Sequence, residues 1–537
     1  MLNKLVIHNY RVFHGTFVAD FNDDINIIVG NNESGKSTIL EAINLVLTRR
    51  IYGRTLNDRD LSPYLFNREV VEEYVAALKN GKKPPPPLAF LEAYLSDACE
   101  LEILRGSNNS LKQNAIGVRL EITLNQDFAA EYEQLLADND WNNVLPTEFY
   151  TVTWRSFADA PVSYKGLGVG VSFIDTTTIR LQTGTDSYIR DILDEHLHAK
   201  DRAALSLAYR RLKEQFSKED SIVSINEVLN KKGGGAPLSQ KPLSISIDIS
   251  QKANWETHLT PHLDELPFQF VGKGEQSMLK IMLALEMNAH KSNIILIEEP
   301  ENHLSHGTMR TLINRMSERC VGKQMILATH SAYVLNKLGL SSLLLLANQR
   351  VIRLTSLSEA TKEYFMKLSG YDTLRLILAE RAILVEGPSD ELIVQKAFFL
   401  KHGAMPIDKG VDVINVRGLS FKRFLDIAIA LGKTISVVTD NDGNYDANIT
   451  RKYKDYSNNP NVSIFASEDN SLPTLEPQLV RSIGLATMNT IIGTDFASED
   501  DLIIYMTKSE NKTDSALKLF ETDHQLKFPK YIQDVVE

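Results

Sequence analysis

The run Gly30-Asn31-Asn32-Glu33-Ser34-Gly35-Lys36-Ser37-Thr38 has the spacing of a phosphate-cradling loop, G-x-x-x-x-G-K-[ST]. Glycines at those places let backbone N–H groups close around phosphate oxygens, and a helix starting there adds positive potential. Lys36 is expected to reach the β- and γ-phosphates of ATP, and Ser37 to ligate Mg2+. Such a loop needs carboxylates for its cation and its water. Ile294-Ile295-Leu296-Ile297-Glu298-Glu299 offers two at the end of an apolar run, Glu298 for the metal and Glu299 to polarise the attacking water. His330 ends the apolar stretch Met325-Ile326-Leu327-Ala328-Thr329, where a sensor of the γ-phosphate would be useful. Gly272-Lys273-Gly274-Glu275-Gln276-Ser277 opens an apolar helical pattern, which makes either a second anion site or an ordinary helix cap.

A second set of acidic residues follows. Ile383-Leu384-Val385-Glu386-Gly387-Pro388-Ser389-Asp390 and Val437-Val438-Thr439-Asp440-Asn441-Asp442 are both apolar runs that end in carboxylates. Glu386 and Asp390 can converge across a strand-to-helix turn, and Asp440 and Asp442 share a face if the strand continues. Hard carboxylate oxygens suit Mg2+ or Mn2+, not zinc, and a pair of such ions about 4 Å apart would clamp a phosphodiester. Taken singly, each carboxylate pair reads equally as a solvated turn.

These groups need strands to carry them and helices to back the strands. Residues 5–13 and 25–30 are rich in Val, Ile and aromatics and read as strands, and Ile39, Leu40, Ile43, Val46 and Leu47 recur at helical spacing behind the glycine loop. Residues 118–124 and 243–250 alternate like strands, whereas 186–230 reads as two helices before the break Lys231–Pro237. Four prolines at 84–87 exclude a helix interior or central strand and read as a polyproline loop or a docking site for a proline-binding partner. Apolar strands alternating with helices, and polar groups at strand C-termini, indicate parallel α/β sheets. The division between two domains is expected between about 355 and 378.

The chain of 537 residues is long enough for two or three domains, and its 43% hydrophobic and 24% charged residues exclude wholesale disorder. A net charge of −11 excludes a uniformly basic coat but not a local basic groove. With no run of 18 apolar residues and Lys4, Asn9, Tyr10 and Arg11 in the opening stretch, neither a spanning helix nor a signal peptide is expected. Two cysteines, Cys99 and Cys320, cannot build a disulfide framework, so the expectation is a soluble, reduced, cytoplasmic protein with no membrane partner.

The order of glycine loop, long insertion, glycine signature, acidic strand and histidine resembles the ABC-type ATPases of the RecF and SMC branch. Glu298-Glu299-Pro300-Glu301-Asn302-His303-Leu304 looks like that branch's EEPExHL element, with Ser305-His306 following where His-Pro is usual. The pattern E-G-x-x-D then D-x-D resembles a Toprim domain, and the two in this order are the layout of the OLD (overcoming lysogenization defect) family. The resemblance implies α/β architecture: an ABC-type P-loop ATPase over 1–360 with a helical insertion at about 180–235, then a Rossmann-like Toprim domain over 378–537. It further implies that Gly274, Glu275 and Gln276 act on the P-loop of a second subunit, giving a homodimer or higher homo-oligomer through the heads and the insertion. Glu476, in Leu475-Glu476-Pro477, would join the metal ligands, and Lys512 would stabilise the reacting phosphate, with Lys508 its competitor. Gly418 resembles the family's mid-domain glycine, and Lys422 or Arg423 would meet the DNA backbone. The activity implied is an ATP-using, divalent-metal DNA endonuclease of anti-phage defence, with a partner protein or RNA as a further implication. The rival reading is a nucleotide-switched repair ATPase that binds DNA without cutting it.

Overall fold

The structure, a computed structural model, describes residues 1–51, 54–97, 99–137, 144–163, 167–175, 181–182, 185–186, 197–232, 245, 262–286, 293–319, 322–347, 349–354, 357–367, 372–417 and 421–537. An antiparallel sheet opens the chain. Strands β1 (Leu2–His8) and β2 (Thr16–Asp20) form its edge, followed by β4 (Ala89–Leu95) and β5 (Ala115–Leu124) in the order β2-β1-β4-β5. Strand β6 (Tyr150–Ser156) and the short Arg105–Gly106 also pair with β5. The proline-rich stretch is an irregular loop leading into β4.

A second sheet is parallel and carries the glycine loop. Its order is β7 (Val171–Asp175), β8 (Ile294–Glu298), β9 (Gln324–Ala328), β3 (Ile25–Gly30) and β10 (Leu343–Ala347), with β11 (Arg350–Arg353) antiparallel at the edge. Helix α1 (Lys36–Thr48) lies between the two sheets, in one apolar cluster with Leu5, Ile7 and Leu91 on one side and Ile28, Leu296 and Ile326 on the other. A helix covered on both sides must be apolar nearly all round. Ile39, Leu40, Ile43, Leu45, Val46 and Leu47 meet that demand, and Trp154 Nε1 donates to the Val46 carbonyl at 2.8 Å.

The expected helical stretch is helical in part. Helices α2 (Ala199–Phe216) and α3 (Asp220–Lys232) are present, but Thr185–Asp186 pairs with Leu181–Gln182 as a short hairpin, so no helix begins at 186. The strand expected at 243–250 falls outside the described residues except Ile245, and Gly418 also lies outside them. Helix α4 (Lys273–Glu286) follows.

The C-terminal sheet has four parallel strands in the order β13 (Val411–Asn415), β12 (Arg381–Val385), β14 (Thr434–Val438) and β15 (Val462–Phe465). Period-two alternation gives it two apolar faces. Ile383, Val385, Val413 and Val438 pack against α7 (Pro388–His402), α8 (Leu475–Ile483), α9 (Ser509–Glu521) and α10 (Lys530–Val535). Leu384, Ile414 and Val437 face the other way. They join Phe365, Leu374, Leu376 and Ile377, from the stretch 359–378, in a buried cluster that runs on to Ile27, Ile295 and Leu327 of the second sheet. Those bridging residues sit on helices Glu359–Lys367 and α6 (Asp372–Leu378), with helix α5 (Ala332–Leu338) packed against both. Among the described residues no helix is long and apolar enough to cross a membrane.

Candidate functional site

Adjacency of β8, β9 and β3 in a parallel sheet puts their C-terminal ends side by side, with Glu298 opposite Ala328 and Ala328 opposite Ile28. The glycine loop leaves β3 through positions that no larger residue fits. A Cβ at Gly30 would come within 2.5 Å of Ser34 Oγ, and Gly35 has φ +104° with the Phe13 ring 2.8 Å from its would-be Cβ. Asn31, Asn32, Glu33 and Ser37 are exposed along the loop, and Thr38 is buried. Lys36 is buried, and its Nζ donates to the carbonyls of Gly30 (3.0 Å) and Asn31 (3.1 Å). Burial lowers its pKa, against the pull of Glu299 and Glu298. Ser34 Oγ is buried without a hydrogen-bond partner. An unsatisfied hydroxyl beside N–H groups and a lysine fits an acceptor-rich phosphate.

Glu298 and Glu299 diverge although adjacent. Burial raises the Glu298 pKa, opposed by a hydrogen bond from Ser37, with Asp175 and Glu41 adding repulsion. The serine and carboxylate expected to share a cation thus touch directly, and Asp175, aligned with Glu298 on β7, is a third acidic group that spacing did not reveal. Glu299 turns out of the strand with φ +47°. Burial and then Glu301 push its pKa up, which suits a group that takes a proton near neutral pH. His330 Nε2 lies 3.6 Å from Glu299 Oε1 and within the field of Lys36, which with burial lowers the imidazole pKa. Glu301 ties the two loops together, accepting from Thr329 Oγ1 (2.7 Å) and His330 N–H (2.8 Å).

The glycine signature faces elsewhere. Gly274 abuts the loop after β8, where a Cβ would sit 2.2 Å from the His303 carbonyl oxygen. Glu275 is exposed. Gln276 is turned inward. It is buried, with Nε2 donating to the carbonyls of Phe268 (2.6 Å) and Val271 (2.8 Å), so it caps the preceding turn in this chain instead of facing solvent.

In the C-terminal sheet the first carboxylate leaves β12 and the second leaves β14, its neighbour. Glu386 Oε1 accepts from the Thr439 hydroxyl and from Asp440 N–H at 3.0 Å. Asp390, in the first turn of α7, accepts from Gly387 N–H at 3.1 Å. Burial, then the Glu386 charge, pushes the Asp390 pKa up to about 7. Burial, then Asp390, Glu386 and Glu476, pushes Asp440 up to about 8. Glu476 is almost fully buried and pairs with Lys512 Nζ at 2.8 Å, while Thr474 Oγ1 donates to its other oxygen at 2.9 Å. Burial opposes the charge on Lys512, but the bond to Glu476 together with the charges of Glu476, Asp390 and Asp440 outweighs it, and the ammonium pKa is raised. Lys508 is exposed and contributes only its backbone, which accepts from Lys512 N–H at 2.9 Å. Glu386, Asp390, Asp440, Glu476 and Lys512 therefore act on one another.

Asp442 stands outside this group. Strand β14 ends at Val438, so alternation no longer applies. Asp442 is exposed with φ +49°, whereas Asn441 is buried and donates to the carbonyls of Ser467 (2.7 Å) and Asp469 (2.9 Å). Arg423 Nη1 donates to Thr361 at 2.6 Å, while Lys422 is exposed. Two tyrosines leave no signal in the sequence, because an aromatic residue reads as core. Tyr531 is buried within the field of Asp440, Asp390, Glu386 and Glu476, and Tyr453 is buried within that of Glu386.

The donors at this second site are all oxygen, which fits a hard divalent cation such as Mg2+ or Mn2+. Among the described residues no three such side chains close into a ready-made cage. Glu386, Asp390 and Glu476 are each held by protein donors.

Comparison with known proteins follows the same division. An AAA-domain family model matches residues 4–149, and a second AAA-domain model, described for the AbiEii toxin of type IV toxin–antitoxin systems, matches 173–336. The TOPRIM-domain model of overcoming lysogenization defect protein-like sequences matches 377–442. The chain is 21% identical over 477 residues to Endonuclease GajA of Bacillus cereus (strain VD045), covering 82% of this chain and 75% of that protein. It is 21% identical over 448 residues to the Retron Vc95 probable ATPase of Vibrio cholerae serotype O1 biovar El Tor, covering 74% of this chain and 82% of that one. Against solved structures, the SMC head domain from Thermotoga maritima overlaps 65% of this chain and 97% of its own, at 17% identity and a TM-score of only 0.29.

Proposed function

We propose that this chain, an AAA-type ATPase followed by an OLD-like Toprim domain, is an ATP-hydrolysing DNA endonuclease that depends on a divalent cation, Mg2+ or Mn2+, and serves anti-phage defence. The observation that carries the reading is the cluster of Glu386 and Asp440 at neighbouring parallel strand ends with Asp390, the buried Glu476 and its partner Lys512 on the covering helices, behind a P-loop ATPase. A cation bound by those carboxylates would act as a Lewis acid on a phosphodiester and favour ionisation of water. Glu386, Asp390, Asp440 and Glu476 would hold it. Lys512, paired with Glu476 at rest, would keep its charge and stabilise the phosphate as negative charge accumulates there. Asp442, exposed at the rim, takes no ligand role in this reading, and Lys422 contacts the DNA backbone.

In the ATPase, Lys36 releases its loop carbonyls to neutralise the β- and γ-phosphates, and Ser37 with Glu298 holds the nucleotide's cation. Glu299 accepts the proton of the attacking water, and His330 reads the γ-phosphate. Gly274 and Glu275 meet the phosphates of a second copy. Homodimers or higher oligomers form through these heads and through α2 and α3, in the cytoplasm, with a defence-system protein or RNA as a further partner.

The test is supercoiled plasmid incubated with pure protein and Mg2+ or Mn2+. Wild type is expected to nick or linearise it, and Asp440→Ala to leave it intact while still hydrolysing ATP. Cutting by Asp440→Ala at the wild-type rate, with contaminating nuclease excluded, would falsify the reading. ATP hydrolysis by wild type with no cutting under either metal points instead to a nucleotide-switched DNA-binding protein.

A further inference from the structure

The loop after β14 holds more than carboxylates. Glu386 Oε1 is saturated, since it accepts both from the Thr439 hydroxyl and from Asp440 N–H at 3.0 Å. Only Oε2 is left to meet a cation. Which oxygen is left depends on Thr439, which is 3% exposed and so fixed by its surroundings. A threonine hydroxyl has one proton and two lone pairs. The proton goes to Glu386, so any further neighbour must donate to Thr439.

Tyr453 is that neighbour. It is 2% exposed, its phenol lies beside the Thr439 hydroxyl and in the field of Glu386, and its Oη has no well-aligned hydrogen-bond partner. A buried hydroxyl without a partner weakens a fold, and a phenylalanine would fill the same space without that cost. The segment that delivers the ring is itself unusual. Asp446–Arg451 forms a π-helical turn, a rare geometry that concentrates at functional sites. The segment is pinned at both ends. Asn448 Nδ2 donates to the Asn441 carbonyl at 2.9 Å, and Tyr456 Oη donates to Asp426 Oδ1 at 2.8 Å. The phenol is thereby held against the Thr439–Asp440–Asn441 turn.

We propose that Tyr453 is a positioning residue of the nuclease centre: its hydroxyl, unpaired in the metal-free protein, donates to Thr439 when the divalent cation binds, which locks Glu386 Oε1 and presents Oε2 to the cation. This rests on the reading of Glu386 and Asp440 as cation ligands. Outer partners that orient a ligating group are worth about 10- to 100-fold in metal affinity. A space-filling role predicts no such effect.

The experiment is Mn2+ titration of nucleotide-free protein, with free Mn2+ followed by electron paramagnetic resonance and folding by thermal unfolding. Tyr453→Phe is expected to bind Mn2+ about 10-fold more weakly with an unchanged or higher melting temperature. Thr439→Val should lose at least as much, and Thr439→Ser, which restores the hydroxyl, should recover wild-type affinity. Wild-type affinity in Tyr453→Phe, with Asp440→Ala deficient, overturns the role of Tyr453. Wild-type affinity in Asp440→Ala overturns the metal centre itself. Should Tyr453→Phe fail to fold, the two Thr439 variants decide: equal affinities in Val and Ser overturn the relay.

Discussion

Glu298 and Glu299 share a strand end but not a task, because the positive φ of Glu299 swings it toward Glu301 and His330 while Glu298 stays with Ser37. Glu299→Gln is therefore expected to bind ATP and lower turnover by about 100-fold or more, as loss of a general base does. Single-turnover hydrolysis of radiolabelled ATP checks this. Lys36→Ala should instead weaken ATP binding itself by 10-fold or more, leaving Mn2+ binding at the C-terminal carboxylates unchanged. At that second site the sign of the pH effect follows from the raised pKa values. Asp390 near 7 and Asp440 near 8 lie above their ordinary value of 3.8, so native protein holds protons that unfolded chains release. Their contribution to stability is present at low pH and is lost as pH rises through about 8. Compared with Asp440→Asn, metal-free wild type should lose melting temperature between about pH 4 and pH 8, and Mn2+ should restore it in wild type only. Equal pH slopes for the two proteins would remove this account. The sequence made Lys36, Glu298, Glu386 and Asp440 legible, because strand ends and glycine loops leave local patterns. The pairing of Glu476 with Lys512 left none, since it joins two helices whose packing no local spacing encodes.

At the scale of elements, α4 and the loop after β8 meet in a close backbone approach. Gly274→Ala would place a methyl 2.2 Å from the His303 carbonyl oxygen, and backbone must move to admit it. Overpacking of this kind costs about 1–3 kcal/mol, so a melting temperature several degrees lower is expected. Gly272→Ala, with nothing within 4 Å, should melt as wild type does, and matching losses in the two variants would contradict the steric reading. The neighbouring Gln276 shows where pattern reading stops. Its place in a glycine signature implied an outward group, but the turn Phe268–Phe270 leaves carbonyls that Gln276 satisfies from inside. Asp442 differs for a related reason: the alternation that paired it with Asp440 needs a strand, and β14 has already ended.

At the scale of the whole molecule, α2 and α3 expose Leu207, Leu212, Phe216, Val223, Ile225 and Val228 along short helices that bury little of their own. Apolar surface of this extent is characteristic of a contact with another chain. Leu212→Glu combined with Val228→Glu is expected to halve the mass seen by light scattering, and an unchanged mass would clear these helices of a role in assembly. The two functional sheets were legible from the sequence as separate runs of strands, but their shared core was not, because Phe365, Leu374 and Ile377 carry no pattern that names their partners. That continuous core limits how such genes can be shuffled. A recombination crossover within 359–378 would join a nuclease half to an ATPase half whose apolar faces evolved against other neighbours, leaving both faces mismatched. Viable chimeras should therefore exchange the bridging helices together with both surfaces they cover, so that the two halves are inherited as one unit.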